Sequence, residues 1–339
     1  MSLLIRSTIC TLMILVWSVL PAQADSSDGF RYRYISLLNA LPADLLFFIP
    51  VSIANDGRVY GSAFRCGDDG CAAVVVVVDR GTAKVLHEGF ANTANNRGTV
   101  GGDLDNQPAL FDGSQVKRLP LPPGAVTGRV IRLTDSGIAL VQTENSDGGI
   151  AGYFLYRRGR QTPLDFGQGQ VLFLDVNDHG LVAGTQNDRA FRLHPPARKV
   201  VLNPLPTEPS AWGQAIDNQG AVLGYSFFSS GLERIGVWQG RRFRTYFTEG
   251  TAKFPTVSNQ LLWNEHGLIV VTDTTDSSSY LIPRPGLRLN LADLTQGLPA
   301  WTEILGVNSE GSLVGWGGSE PFNIEDVFVL QRVGGHDDR

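Results

Sequence analysis

The chain has 339 residues, a formal net charge of −5 and only 18% charged residues. That mild acidity argues against a nucleic-acid-binding protein, which would carry a basic footprint. The mature chain becomes one unit more acidic if its first 24 residues are removed, because they contain Arg6 and no acid.

Those first residues have the order of a secretory signal peptide. Arg6 gives a short positive start, Ile9 to Leu20 is apolar apart from Thr11 and Ser18, and Pro21-Ala22-Gln23-Ala24 is a small-residue cleavage site before Asp25. A membrane anchor is the alternative, but the apolar run is shorter than the ~20 residues a spanning helix needs. Ala72 to Val78 is shorter still, and Cys10 lies too early for a lipoprotein signal. The expectation is a leader over 1–24 and a periplasmic or extracellular mature chain over 25–339, with no membrane span after cleavage. Cys66 and Cys71, in Cys-Gly-Asp-Asp-Gly-Cys, then meet an oxidising compartment, and a structural disulfide is expected. Zinc would need a further Cys/His pair, and the spacing is not that of a redox Cys-x-x-Cys.

From residue 30 onward the chain reads as strands. Residues 30–38 form an orphan strand with no partner nearby in sequence. A unit then recurs: an apolar residue, Asn or Asp, a variable position, glycine, and an aliphatic pair. Its glycines stand at Gly57, Gly98, Gly137, Gly180, Gly220, Gly267 and Gly311, 39 to 47 residues apart. Asn or Asp starts a tight turn, and glycine supplies its positive-φ position. A short apolar strand A precedes each turn and strand B follows it. Strand C bears aromatics, as in Tyr153-Phe-Leu-Tyr156, and strand D is basic and polar, as in Lys117-Arg-Leu-Pro. A second glycine follows four residues after the turn glycine at 61, 102, 184, 224 and 315. It marks either a close backbone approach or room for a neighbouring aromatic, and room for an aromatic is the expectation.

Four strands in about 42 residues, repeated, are the mark of β-propeller blades. The seventh unit lacks a strand D, and residues 30–38 have strand-D character. The prediction is one all-β domain, a seven-bladed propeller of four antiparallel strands per blade, closed by pairing residues 30–38 with the last blade, which leaves no open edge.

At these residues the chain resembles the bacterial extracellular repeat family named for its His-Ala-Phe motif, as a divergent member. The first half of that motif is kept at Val176 to Gly184 and Ile216 to Gly224. In the second half Pro108-Ala-Leu-Phe111 and Arg189-Ala-Phe191 keep the alanine and the aromatic but not the histidine. The resemblance implies export and a repeat β-fold, and no activity.

In a propeller the A–B and C–D turns share one face, and the B–C and D–A connections share the other. The B–C connections vary most in length, and variable loops on a rigid scaffold are where binding sits. They also collect acids, whereas the C–D turns and D strands collect arginines. One reading is an acidic loop face that steers a cationic ligand, opposite a basic rim; the other is that loops are commonly acidic and outer strands carry arginine to blunt their edges. The candidate binding residues are Asp68, Asp69, Asp103, Asp105, Asp147 and Asp273, with Trp212 and Trp301 as rings that stack on a sugar or cap the core.

No catalytic or metal-binding set is readable, and no cofactor is implied. Asp175-Val-Asn-Asp-His-Gly180 misplaces its acids for a calcium loop. The five histidines are scattered, and no Gly-x-Ser-x-Gly occurs. A non-catalytic binding or scaffold propeller is therefore expected. An enzyme acting on carbohydrate through axial carboxylates is the alternative, and a structural cell-surface component the second alternative.

Overall fold

The computed structural model describes residues 30–67, 70–196, 198–202, 209–227, 233–249, 260–273, 278–320 and 323–333. The leader therefore lies outside the described residues, as do Asp68 and Asp69. The described chain forms seven four-stranded antiparallel sheets. Blade 1 shows the plan: strand A Leu45–Ile53, B Val59–Gly67, C Gly70–Asp79 and D Thr82–Glu88. The other innermost strands are Phe90–Ala94, Thr127–Leu133, Val171–Val176, Ser210–Ile216, Gln260–Trp263 and Trp301–Val307.

Blade 7 takes its outer strand from the start of the chain. Tyr32–Ser36 pairs antiparallel with Asp326–Arg332, with Tyr34 opposite Leu330. Hydroxyls reinforce the pairing: Tyr34 donates to Asp326 Oδ2 at 2.5 Å and Ser36 to Asp326 Oδ1 at 2.7 Å. Tyr32 donates to the carbonyl of Gly311, the turn glycine of the same blade, at 2.9 Å.

The core is a series of apolar layers between adjacent blades, because each sheet is covered on both faces. Blades 5 and 6 share Leu223, Ile235, Val237, Ile269, Val271 and Ile282. Some basic residues of the outer strands pack over rings. Lys117 of blade 2 lies 5.2 Å from the Tyr156 ring centre of blade 3, and Arg288 lies 3.8 Å from that of Tyr280. A short helix, Leu291–Leu294, interrupts the connection from blade 6 to blade 7. Asn290 starts it by accepting from the Ala292 N–H.

In most repeats the second glycine has a different cause from the one expected. The innermost strands of blades 1, 2, 3, 4, 5 and 7 each carry a bulge just before the turn. The bulge pushes one carbonyl toward strand B. A Cβ on Gly61, Gly102, Gly224 or Gly315 would collide with the carbonyl oxygen of Ile49, Phe90, Trp212 or Glu303. At these four positions the glycine answers a close approach of backbone, whereas at Gly184 the Leu174 side chain, the Leu172 carbonyl and the Phe191 ring crowd a Cβ about equally, at 2.9–3.1 Å. Blade 6 has no bulge in the described part of its first two strands and carries Val271 at this place, but blade 3 has the bulge and carries Val141, so the bulge alone does not impose the glycine.

Candidate functional site

The axial channel has two mouths with different chemistry. The mouth on the A–B turn face opens as a cavity of about 390 Å³. The repeat motif builds it. In every blade the first turn residue donates its N–H to a carbonyl four residues on, and the turn glycine donates back to that first residue, as at Asn177 with Leu181 and Gly180. The seven glycines have φ between +79° and +88°, so a type I turn closed by a left-handed residue recurs seven times.

The side chains then tie the blades together. Asn177 Oδ1 accepts from the N–H groups of His179 and Leu181, capping its own turn, and its Nδ2 donates to the Asp217 carbonyl of the next blade at 2.8 Å. Asn95, Asn264 and Asn308 make the same reach to Thr134, Asn308 and Ala54. The second turn position adds another ring. Ser309 N–H donates to Asn55, Asn55 N–H to Asn96, Asn96 N–H to Asp135, Ser136 N–H to Asp178, and Asp178 N–H to Asn218, all at 2.6–3.0 Å. Burial pushes the Asp178 carboxyl up. Hydrogen bonds from Ser136, Asn218 and Thr134 outweigh this, and its pKa lies below the ordinary carboxylate value.

Six of the seven seams have such turn-to-turn bonds. Among the described residues the seam between blades 5 and 6 has none. Glu265, one carbon longer than the Asn or Asp of its neighbours, stands exposed there. Asp135, Asp178, Asp217 and Glu265 line the cavity with no basic side chain, but all except Glu265 accept hydrogen bonds from neighbouring turns or their own.

The opposite mouth, on the loop face, is apolar and aromatic. Trp212 is half-buried. Its ring centre lies 5.6 Å from that of Phe173 and 5.2 Å from that of Phe227, and its indole N–H donates to Asp188 at 3.3 Å. Trp316 donates to Glu303 at 2.8 Å. Phe173 has φ +54° and Phe47 φ +53°. A bulky residue in this region carries strain of about 1–3 kcal/mol. Phe173 is packed against Trp212, whereas Phe47 is 79% exposed.

The sequence-derived residues fall at separate places on this face. Asp103, across from Phe90, is half-buried. Burial pushes its carboxyl up, and the nearby Arg129 offsets part of the rise. Asp105 sits in a two-residue turn with Asn106, both at positive φ, and is ion-paired to Arg118 at 2.5 Å. Asp147 accepts from the Gly149 N–H of its own loop. Asp273 ends strand B of blade 6. Trp301 is buried in blade 7, so it caps the core and presents no stacking surface. Cys66 and Cys71 oppose each other across strands B and C of blade 1 and form the disulfide.

The expected separation of charge is incomplete. Arg118 closes a strand D that runs back to the loop face, and it neutralises an acid there. Sequence reasoning missed Leu46 and Phe64, whose signal was the apolar character of the blade 1 strands, and Phe90, which opens the innermost strand of blade 2. It also placed the Asn/Asp turn residues only as turn formers.

The fold and these two mouths define a seven-bladed propeller with a self-bonded turn face and an aromatic loop face. No protein-family model matches the chain, and no curated protein matches it. Among solved structures it is similar to a catalytically inactive virginiamycin B lyase from Staphylococcus aureus with quinupristin, at 12% identity and a TM-score of 0.56, covering 90% of this chain and 100% of that one. A streptogramin B lyase gives 12% identity and a TM-score of 0.55 over 89% and 98% of the two chains. YCF48 bound to D1 peptide gives 12% and 0.50 over 91% and 97%. At such identities the likeness is one of fold. No helix among the described residues is long and apolar enough to cross a membrane.

Proposed function

We propose that this chain is an exported, non-catalytic binding propeller, a divergent member of the His-Ala-Phe repeat family, and that it binds through its loop face. One contrast carries the reading. On the turn face, most polar side chains of the cavity are hydrogen-bonded to a neighbouring blade or within their own turn, whereas the loop face presents Phe47 exposed and strained. Groups already hydrogen-bonded to one another hold a scaffold rigid. An exposed ring that adds nothing to the core is available to a partner. The Cys66–Cys71 disulfide in a loop of this face supports an oxidising compartment.

The test is a peptide and glycan array probed with the mature protein, followed by hydrogen-exchange mapping of each hit. The expected protection falls on residues 45–47, 103–107 and 145–150. Protection confined to the A–B turns, or turnover of an arrayed glycan, would overturn the reading.

A further inference from the structure

The loop-face reading leaves the chemistry of the partner open, and one part of the face is specific enough to narrow it. Strands A, B and C of blade 1 have 9, 9 and 10 residues, whereas strands A and C of blade 2 have 5 and 6. The extra length lies at the loop-face end, so blade 1 stands about three residues, or roughly 10 Å, above the rim.

This raised part is apolar toward blade 2. Leu46, 43% exposed, pairs across the sheet with Phe64. Phe64 meets Phe90 of blade 2 edge to face, with ring centres 5.7 Å apart, and Phe90 is itself 37% exposed. Phe47 follows Leu46 in the chain. It takes part in no ring contact among the described residues, and its positive φ is a conformation that asparagine or glycine would hold with less strain. Phe173, the other aromatic in this conformation, gains packing against Trp212 in return. Nothing in the fold compensates Phe47.

Among the described residues the exposed, unpaired charge of the loop face is mostly acidic. Glu88, Asp147, Glu320 and Glu325 are exposed on the loop face without an ion-pair partner among the described residues. Asp44 and Asp105 are already matched by Arg65 and Arg118. Arg129 and Arg189 are the exposed bases that oppose them, and Arg129 lies beside Asp103. An acidic surround with an apolar centre selects a partner of complementary pattern and speeds its encounter.

We infer that the seam between blades 1 and 2 docks a partner polypeptide through a basic segment that carries an aliphatic or aromatic anchor, which packs on Phe47, Leu46 and Phe90. The inference rests on the loop-face reading and adds the partner's chemistry to it.

Fluorescence anisotropy with the mature protein tests it, using labelled Lys-Leu-Lys-Phe-Lys-Leu-Lys against its glutamate counterpart and a Lys-Ser control. The lysine–leucine peptide is expected to bind, to weaken at 0.5 M salt, and to weaken at least about tenfold in Phe47→Asn. That variant relieves the positive-φ strain, so its melting temperature is expected to hold or rise, which separates lost docking from lost folding. Unchanged binding in Phe47→Asn, equal binding of the glutamate peptide, or no binding at millimolar peptide would overturn the inference. So would concentration-dependent self-association that Phe47→Asn abolishes, since the patch would then cover a second copy. If array hits protect residues 45–47 and 103–107 while the lysine–leucine peptide does not bind, the loop-face reading stands and the partner chemistry fails.

Discussion

Asn308 shows how much one residue of the repeat does. Its Oδ1 accepts from Ser312 within its own turn, and its Nδ2 reaches the Ala54 carbonyl 254 residues away in sequence, where the ring meets itself. Asn308→Ala removes both bonds and leaves the buried Ser312 N–H without its acceptor, while the Ala54 carbonyl keeps the Gly57 N–H. The expected cost is about 1–3 kcal/mol, read as a lower denaturant midpoint at unchanged slope. Asn308→Asp keeps the turn cap, as Asp217 does in blade 5, but cannot donate to Ala54, and should lose less than the alanine variant. Equal losses in the two would show that the turn cap contributes nothing, and no loss in Asn308→Asp would show that the inter-blade bond contributes nothing. Gly224 gives a second residue-scale test. Gly224→Ala drives a methyl against the Trp212 carbonyl, and the expected loss is at the upper end of about 1–3 kcal/mol. Val271→Ala, in the blade with no bulge in the described part of its first two strands, should lose only the packing of the deleted methyl groups. A tolerated Gly224→Ala would mean that the bulge relaxes freely.

Among the elements, the A–B turns were legible in the sequence as turns because Asn, Asp and Gly announce a local conformation. Their second role was not, because a hydrogen bond to the next blade leaves no mark in the spacing of one unit. The bulges were hidden for a related reason: a slip of register changes neither composition nor alternation over so short a strand. The five glycines at 61, 102, 184, 224 and 315 were visible, but their cause lay in the partner strand. The loop-face acids were visible too. What could not be read was that Asp105 is paired to Arg118 and that Leu46 and Phe90 belong to the exposed apolar surface. The turns also differ at one seam, which is joined by a Leu261 N–H bond to Gln214 but not through the turns themselves. Glu265 leaves blades 5 and 6 without a turn-to-turn bond, and the neighbouring pairs show what an amide does at this place. Glu265→Asn should accept from the Asn218 N–H and raise stability by about 0.5–1.5 kcal/mol, measured as a higher melting temperature. No gain would mean that the seam is held apart by something other than side-chain length, and Trp263, beside it in a place that is aliphatic in every other blade, is the residue to examine next.

For the whole molecule, the decisive element is the first strand, because closure of the ring depends on it. Tyr32 and Tyr34 on that strand both have phenol pKa values raised above the ordinary value, chiefly by burial, and for Tyr34 also by Asp326. The folded chain therefore holds two protons that the unfolded chain releases above about pH 10. Stability is full below that pH and falls as pH rises beyond it. Tyr34→Phe removes one of these groups and should flatten the alkaline decline while losing the bond to Asp326. An unchanged alkaline profile in the variant would mean that Tyr34 does not titrate with unfolding. The same closure fixes how the molecule can be presented. Val333 donates its N–H to the Arg31 carbonyl at 2.8 Å, so the two strands that seal the ring enter and leave side by side at the turn face. A fused domain joined directly at residue 31 or 333 therefore starts from the side away from Phe47, and a short linker from 333 back to 31 would convert the latch into a covalent bond without crossing the aromatic mouth.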